Sequence, residues 1–129
     1  MGLPGESKND LMQHAVELSK LPIDTLKIHH LQIVNNSVMA VQYKRNPDAF
    51  DLFGFEEYTD FIADFIGLLR PDIVLERFIS EAPKDLLIAP KWGGIRKQEI
   101  LDRIDQKLKA KDTWQGKYYS PKAISHLVF

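Results

Sequence analysis

The clearest hydrophobic pattern in the chain lies between Glu56 and Leu69. Its apolar members recur three or four positions apart: Tyr58, Phe61, Ile62, Phe65, Ile66 and Leu69. This spacing predicts a helix with one apolar face. Acidic residues crowd its first half, where they suit the positive end of the helix dipole. Pro71 predicts its end.

Weaker patterns predict further helices and strands on both sides of this helix. Ser7 and Asp10 form a capping-box pattern that opens a helix ending before Pro22. We expect strands at about 25–34, 72–79 and 86–89, and helices at 37–44, 95–111 and 121–129. This order predicts an α/β fold in which helical crossovers join parallel strands. Two or three strands are few for such a sheet, so the pattern indicates part of a larger parallel sheet or barrel.

Composition narrows the class of protein. The 129 residues include 44% hydrophobic and 27% charged side chains, which is typical of one folded domain rather than a disordered chain. The net charge of -1 disfavours a strongly basic nucleic-acid binder. Apolar runs are far shorter than the roughly 20 residues that span a bilayer, and no secretory signal is evident. We therefore expect a cytoplasmic protein that does not enter a membrane.

The chain has no cysteine. This excludes disulfides, thiol catalysis and thiolate-bound zinc or iron–sulfur clusters within the chain. The charge is also uneven, because residues 1–69 carry net -5 and residues 70–129 carry net +4. The basic half is either an ordinary solvated surface or a surface for an anion such as phosphate or RNA.

Three strand residues stand out as candidate ligand contacts. His29 and His30 are adjacent on a predicted strand, so their side chains should point to opposite faces and do not suit one metal ion. Arg77 lies in a strand that we expect to be buried, so it needs a carboxylate partner. That carboxylate is either internal, from Glu76 or Glu81, or belongs to a ligand.

Several segments together resemble one known family. Gly2 to Ser7 resembles the Gly-Leu-Pro-Gly-Glu-Thr segment after the fourth strand of many radical S-adenosylmethionine (SAM) enzymes. Further matches follow in order: Leu21 to Asp24, Leu26 to His29, Asp72 to Arg77, Ala89 to Trp92 and Asp112 to Lys117. Together they resemble the C-terminal half of an uncharacterised bacterial family of radical SAM enzymes, termed Fe–S oxidoreductases. The radical SAM part of that family is similar to the elongator catalytic subunit, which acts on tRNA.

The resemblance implies a partial (β/α) barrel fragment with few parallel strands and flanking helices, plus a helical C-terminal extension. We place the barrel part at 1–90 and the extension at 91–129. In such enzymes a [4Fe–4S] cluster reduces SAM, and the resulting 5′-deoxyadenosyl radical abstracts hydrogen from a substrate. The cluster cysteines and the early strands belong to the family's N-terminal half. We therefore expect a fragment that binds no cluster and is inactive alone.

The resemblance also implies site residues and partners. His29 matches a strand histidine, while Arg77 and Glu81 match a basic and an acidic position at the last barrel strand, so all three are expected to contact the cofactor. His30 and Asn36 to Val38 depart from the family pattern beside the SAM face. The expected partners are the missing N-terminal half, a second copy of the chain at an exposed sheet edge, and tRNA or another anionic substrate.

Two other functions remain open from the residues alone. The chain is alternatively an autonomous α/β binding module whose basic half meets RNA or another anion. A third hypothesis is a cofactor-free enzyme that uses His29 and Glu81.

Overall fold

The computed structural model describes residues 3, 5–79 and 82–120. Within them the chain forms four α-helices and four short strands, so the mixed α/β class is confirmed. The helices are α1 (Lys8–Ser19), α2 (Val38–Arg45), α3 (Phe55–Leu68) and α4 (Lys97–Ala110), with a 3₁₀ turn at Pro47–Ala49. The strands are β1 (Thr25–Lys27), β2 (Ile33–Val34), β3 (Val74–Arg77) and β4 (Leu87–Ala89).

The N-terminal helix begins with the predicted capping box. Ser7 Oγ accepts the Asp10 amide at 3.1 Å, and the Asp10 carboxylate accepts the Ser7 amide at 3.0 Å. These two bonds satisfy amides that would otherwise lack a partner at the first turn. The helix ends at Ser19, before Pro22 as the sequence predicts.

The helix predicted most clearly, α3, is the centre of the core. Its face buries large side chains, among them Tyr58, Ile62 and Phe65. Helix α1 packs on one side through Leu11 and Ala15, and α4 packs on the other through Ile100 and Ile104. Because α4 shares this core with α3, residues on both sides of the predicted boundary at residue 90 are packed together. The boundary itself stays a prediction.

The strands form two small sheets instead of one parallel sheet. Strands β1 and β3 pair in parallel, as predicted, whereas β2 and β4 pair antiparallel. The predicted single strand at 25–34 is therefore wrong, because the chain leaves β1 after Lys27 and pairs again with a different neighbour from Ile33. The strands in the described ranges do not close into a barrel.

The predicted buried strand at 72–79 is shorter and more exposed than expected. Ile73 and Ile79 are buried at its two ends, but Val74 within β3 is 58% exposed. This is because β3 has its only described strand partner in β1, at one end of the core. The predicted helix at 121–129 lies outside the described residues. No helix within the described part of the chain has the length and apolar character needed to cross a membrane.

Candidate functional site

The parallel pair β1–β3 brings two of the candidate residues to one edge. Lys27 is in register with Arg77, and the Ile28 amide donates to the Arg77 carbonyl at 2.8 Å. Both strands run in the same direction, so the segments that follow them emerge side by side. His29 and Arg77 therefore lie at the same carboxyl edge of the sheet, where parallel α/β folds bind ligands.

The two adjacent histidines differ in burial as predicted, although they lie in the segment after β1 and not within a strand. His29 is exposed, whereas His30 is buried, with 5% of its surface accessible. The His30 imidazole stacks on the Trp92 indole, with centroids 4.3 Å apart, and tilts against the Tyr58 ring at 5.3 Å. Burial lowers the pKa of His30 to about 4, so the ring is neutral near pH 7.

The aromatic side chains beneath His30 are fixed by hydrogen bonds to the backbone. The Trp92 indole nitrogen donates to the Phe53 carbonyl at 3.0 Å. The Tyr58 hydroxyl donates to the carbonyl of Phe78, directly after β3. Burial raises the pKa of Tyr58, so this hydroxyl keeps its proton. The carboxyl ends of both parallel strands thus rest on a rigid aromatic layer.

Arg77 does not have the burial that the sequence predicted. Its side chain is exposed, and no ion pair joins it to another described residue. Glu76, one of the two proposed internal partners, instead lies 3.7 Å from Lys27. The expectation that Arg77 is buried is therefore wrong, because the strand end faces solvent, whereas its pairing with Glu81 or with a ligand carboxylate stays a prediction. No described residue pairs with its guanidinium, which suits an anionic group of a ligand.

The other proposed acidic contact, Glu81, lies outside the described residues. Its role at the site stays a prediction.

A cavity of about 560 Å³ opens beside the ends of β1 and β3. We call it the lysine cleft, because Lys84, Lys91 and Lys97 line it. His30 and Trp92 contribute aromatic surface, and its apolar lining includes Ile79, Leu87, Ile95 and Ile100. A second cavity of about 220 Å³ is lined by Arg77 and shares Lys97 and Ile100 with the cleft. The two cavities are therefore neighbours.

The lysines and Trp92 were missed as site residues by sequence reasoning. They come from three segments, which are the loop before β4, the turn after β4 and the first residue of α4. Spacing along the chain does not show that these segments meet. The one available signal was the net positive charge of residues 70–129.

The aromatic–basic segment after α4 is a separate feature. Lys117 Nζ lies 5.0 Å from the Trp114 ring centroid and 5.3 Å from that of Tyr118, and both rings are more than half exposed. Gln115, between them in sequence, donates to the carbonyls of Arg70 and Ile73 at 3.0 and 2.7 Å. The segment is thus a turn that is tied by Gln115 to the connection between α3 and β3.

The residues present do not suit an iron–sulfur cluster. The chain has no cysteine, and the described residues hold no group of three or more histidines and carboxylates that suits a metal ion. The edge with Arg77 suits a different group. An exposed guanidinium without a described ion pair, beside a cavity, fits the carboxylate of an amino-acid ligand such as SAM.

Comparison with known proteins adds an independent observation. A family model described as Radical_SAM C-terminal domain matches residues 23–110. The chain is 26% identical to the uncharacterised protein YtqA of Bacillus subtilis, over 92% of this chain and 36% of YtqA. It is 27% identical to an uncharacterised protein of Methanocaldococcus jannaschii, over 90% of this chain and 35% of that protein.

A shorter match is found with protein YhcC of Escherichia coli. The two are 28% identical over 71% of this chain and 29% of YhcC. This chain therefore spans about a third of the length of the curated relatives it matches.

Proposed function

This chain belongs to the family of radical SAM C-terminal domains, and from that premise we propose that it forms one wall of the active site in a longer radical SAM enzyme. In this proposal β1 and β3 are the last strands of a partial barrel. His29, Arg77 and Glu81 contact SAM, and the neighbouring lysine cleft receives the substrate.

The observation that carries the proposal is the shared edge of β1 and β3. The proposal is supported because His29 and Arg77 both follow the parallel pair to this edge, where Arg77 is exposed, has no ion pair with a described residue and lines the smaller cavity beside the lysine cleft. Arg77 would bind the carboxylate of SAM, and His29 would contact the same ligand. The buried His30–Trp92 stack would hold the strand ends in position.

When bound, SAM and a [4Fe–4S] cluster supply hydrogen abstraction from a substrate in this family. Since this chain has no cysteine, the cluster would be held by the preceding part of the longer protein. The residues of this chain bind and orient ligands.

The first test is SAM affinity in the full-length protein that contains this chain, measured by equilibrium dialysis. We expect Arg77→Ala to weaken SAM binding about tenfold or more, because a charge-assisted hydrogen bond contributes about 1.5–3 kcal/mol. Arg45→Ala is the matched control, since Arg45 is also exposed and has no ion pair with a described residue. Equal affinity of both variants and the wild type would contradict the role of Arg77. The variant Glu81→Gln tests the proposed contact between Glu81 and SAM by the same affinity measurement.

A second test concerns the chain by itself. We propose that residues 1–129 alone are catalytically inactive. Anaerobic reconstitution with iron and sulfide should leave no stoichiometric iron on the purified chain. A cluster with full iron and sulfide content would overturn this part of the proposal, and so would SAM cleavage by the isolated chain.

The open sheet suggests what else the chain binds. In the described residues the parallel sheet consists of β1 and β3 alone, so each strand has an edge without a strand partner. We propose that the preceding half of the barrel covers one edge in the longer protein, and that the isolated chain pairs with a second copy there.

Sedimentation velocity across a concentration series tests this pairing. Val74→Lys should weaken self-association, because it places a charge on the open sheet, where Val74 is 58% exposed. Val38→Lys is the control, since Val38 is 78% exposed but lies on α2. A monomer at every concentration would contradict the proposal.

The alternative function is an autonomous module for RNA or another anion. The observation that favours it is the lysine cleft, because its three lysines lie in the basic half of the chain. The coding sequence upstream of Met1 distinguishes the two functions. A C-x-x-x-C-x-x-C-type motif there supports the radical SAM enzyme, whereas a native start at Met1 without a cluster-binding partner supports the autonomous module.

A further inference from the structure

The lysine cleft has a charge that the described residues do not balance. Lys84, Lys91 and Lys97 line it, and no aspartate or glutamate is among its described lining residues. None of these three lysines forms an ion pair with another described residue, although most other lysines of the described chain do, such as Lys107 with Glu56 and Lys111 with Asp60.

The histidine in the cleft does not add to this charge near pH 7. His30 is neutral there, because its burial against Trp92 and Tyr58 disfavours the protonated ring. The described lining thus carries three positive charges, all from lysine. All three are exposed, so solvent screens much of their mutual repulsion, but an anion bound in the cleft would be attracted by each of them.

The type of cation indicates the type of anion. Lysine ammonium groups act as point charges with freely rotating donors and suit phosphate from several directions, whereas a planar carboxylate is matched best by arginine. Arg77 lies in the neighbouring cavity, not in the cleft. The two cavities therefore differ in their cations, because Arg77 lines only the smaller cavity, Lys84 and Lys91 line only the cleft, and Lys97 lines both.

Size and lining distinguish a small ligand from a nucleic acid. A volume of about 560 Å³ lies within the usual range of about 300–1,000 Å³ for small-molecule sites. Single-stranded nucleic acids need exposed aromatic faces for stacking. Trp92, the largest ring of the cleft, already packs against His30, Tyr58 and Phe55. Apolar side chains such as Leu87 and Ile95 would contact the uncharged part of a small molecule.

We propose that the lysine cleft binds a small phosphate-bearing molecule of about the size of a mononucleotide, with its phosphate held by Lys84, Lys91 and Lys97. This inference deepens the proposed function and rests on it, because it assigns a chemical class to the substrate of the longer enzyme.

The test is calorimetric titration of the 129-residue chain with three probes: inorganic tripolyphosphate, uridine monophosphate and adenosine monophosphate. We expect binding that weakens with added salt. The triple variant Lys84→Gln, Lys91→Gln, Lys97→Gln should bind about tenfold more weakly or worse, a change of about 1.4 kcal/mol. Glutamine keeps much of the length of the side chain and removes its charge.

The matched control removes the same number of charges away from the cleft. Lys8→Gln, Lys44→Gln and Lys109→Gln change exposed residues that do not line it, and this variant should bind within about twofold of the wild type. Equal weakening in both triple variants would show binding by overall charge and would overturn the proposal. Absence of binding by the wild type would also overturn it. Thermal melts check folding, and the three single variants replace the triple one if it does not fold.

A short single-stranded RNA is the remaining probe. If the cleft lysines bind this RNA but none of the small phosphates, the ligand is RNA and the proposal is wrong. Binding of tripolyphosphate without the nucleotides assigns the site to phosphate groups alone, which supports the lysine role and contradicts the nucleotide size. A failure of this proposal can be distinguished from a failure of the proposed function, because the proposed SAM affinity depends on Arg77 and is measured in a separate experiment.

Discussion

The His30 imidazole lies parallel to the Trp92 indole, with ring centroids 4.3 Å apart and an interplanar angle of 19°. This stack joins the segment after β1 to the turn after β4. Trp92 is itself tied to the Phe53 carbonyl, and Tyr58 packs against both rings. One buried histidine thus connects the strand ends, helix α3 and the turn that carries Lys91.

The buried state of His30 predicts a pH-dependent stability. Its pKa falls from 6.5 to about 4 on folding, so between these values the unfolded chain binds more protons. Stability from this group is therefore fully present above about pH 6.5 and is lost as the pH falls toward 4. We expect a loss on the order of 2 kcal/mol, measured by urea unfolding at several pH values.

His30→Phe isolates this contribution, because phenylalanine keeps a stacked ring but does not titrate. Carboxylates also titrate in this range. The quantity to compare is therefore the slope of the unfolding free energy against pH, measured in the variant and in the wild type. The slope should be smaller for His30→Phe. Equal slopes for His30→Phe and the wild type would refute the prediction.

Gly116 should tolerate no side chain. Its φ is +87°, and an added Cβ would overlap the ring of Pro71. Gly116→Ala therefore combines backbone strain with a steric clash, and we expect a loss of about 2–4 kcal/mol in unfolding free energy. Gly94→Ala is the control, because its φ is +72° but its surroundings are open. Thermal and urea unfolding of both variants should show the larger loss for Gly116→Ala.

Gln115 should stabilise the chain through its side-chain amide. Its Nε2 donates to the carbonyls of Arg70 and Ile73, and so joins the turn after α4 to the connection between α3 and β3. Gln115→Ala leaves both carbonyls without this donor, and we expect a loss of about 1–3 kcal/mol in urea unfolding. Gln98→Ala removes only an exposed side-chain hydrogen bond to Asp102, so it should lower the free energy of unfolding by only a small fraction of that loss. Equal effects of the two variants would contradict this role.

The helices were predictable because their signals are local. Three of these signals depend only on neighbouring residues and agree with the structure: the apolar face of α3, the capping box of Ser7 and Asp10, and the end of α1 before Pro22. The strands were less predictable. A run such as 25–34 has strand-like composition throughout, but its division into β1 and β2 depends on partners distant in sequence.

The candidate site was predictable only where the pairing of two strands positions its residues. His29 and Arg77 reach one edge because the predicted parallel pair is correct. The exposure of Arg77 was not predictable, because it depends on what covers the sheet. The lysine cleft depends on three separate segments that approach each other only in the folded chain.

The ion pairs between α3 and α4 should contribute little to stability. The Glu56 carboxylate contacts Arg103 and lies 3.0 Å from Lys107, but it is 57% exposed. Solvent screens such pairs, so Glu56→Gln should cost less than about 1 kcal/mol in urea unfolding, and less still at high salt. Glu57→Gln is the matched control, because Glu57 also lies in the first turn of α3 and has only a 3.7 Å contact with Lys8. The difference between the two variants isolates the two contacts to α4 from the helix-dipole effect, which both variants share. A loss of 2 kcal/mol or more, specific to Glu56→Gln, would show that these contacts, and not the apolar packing of Ile100 and Ile104, hold α4 in place.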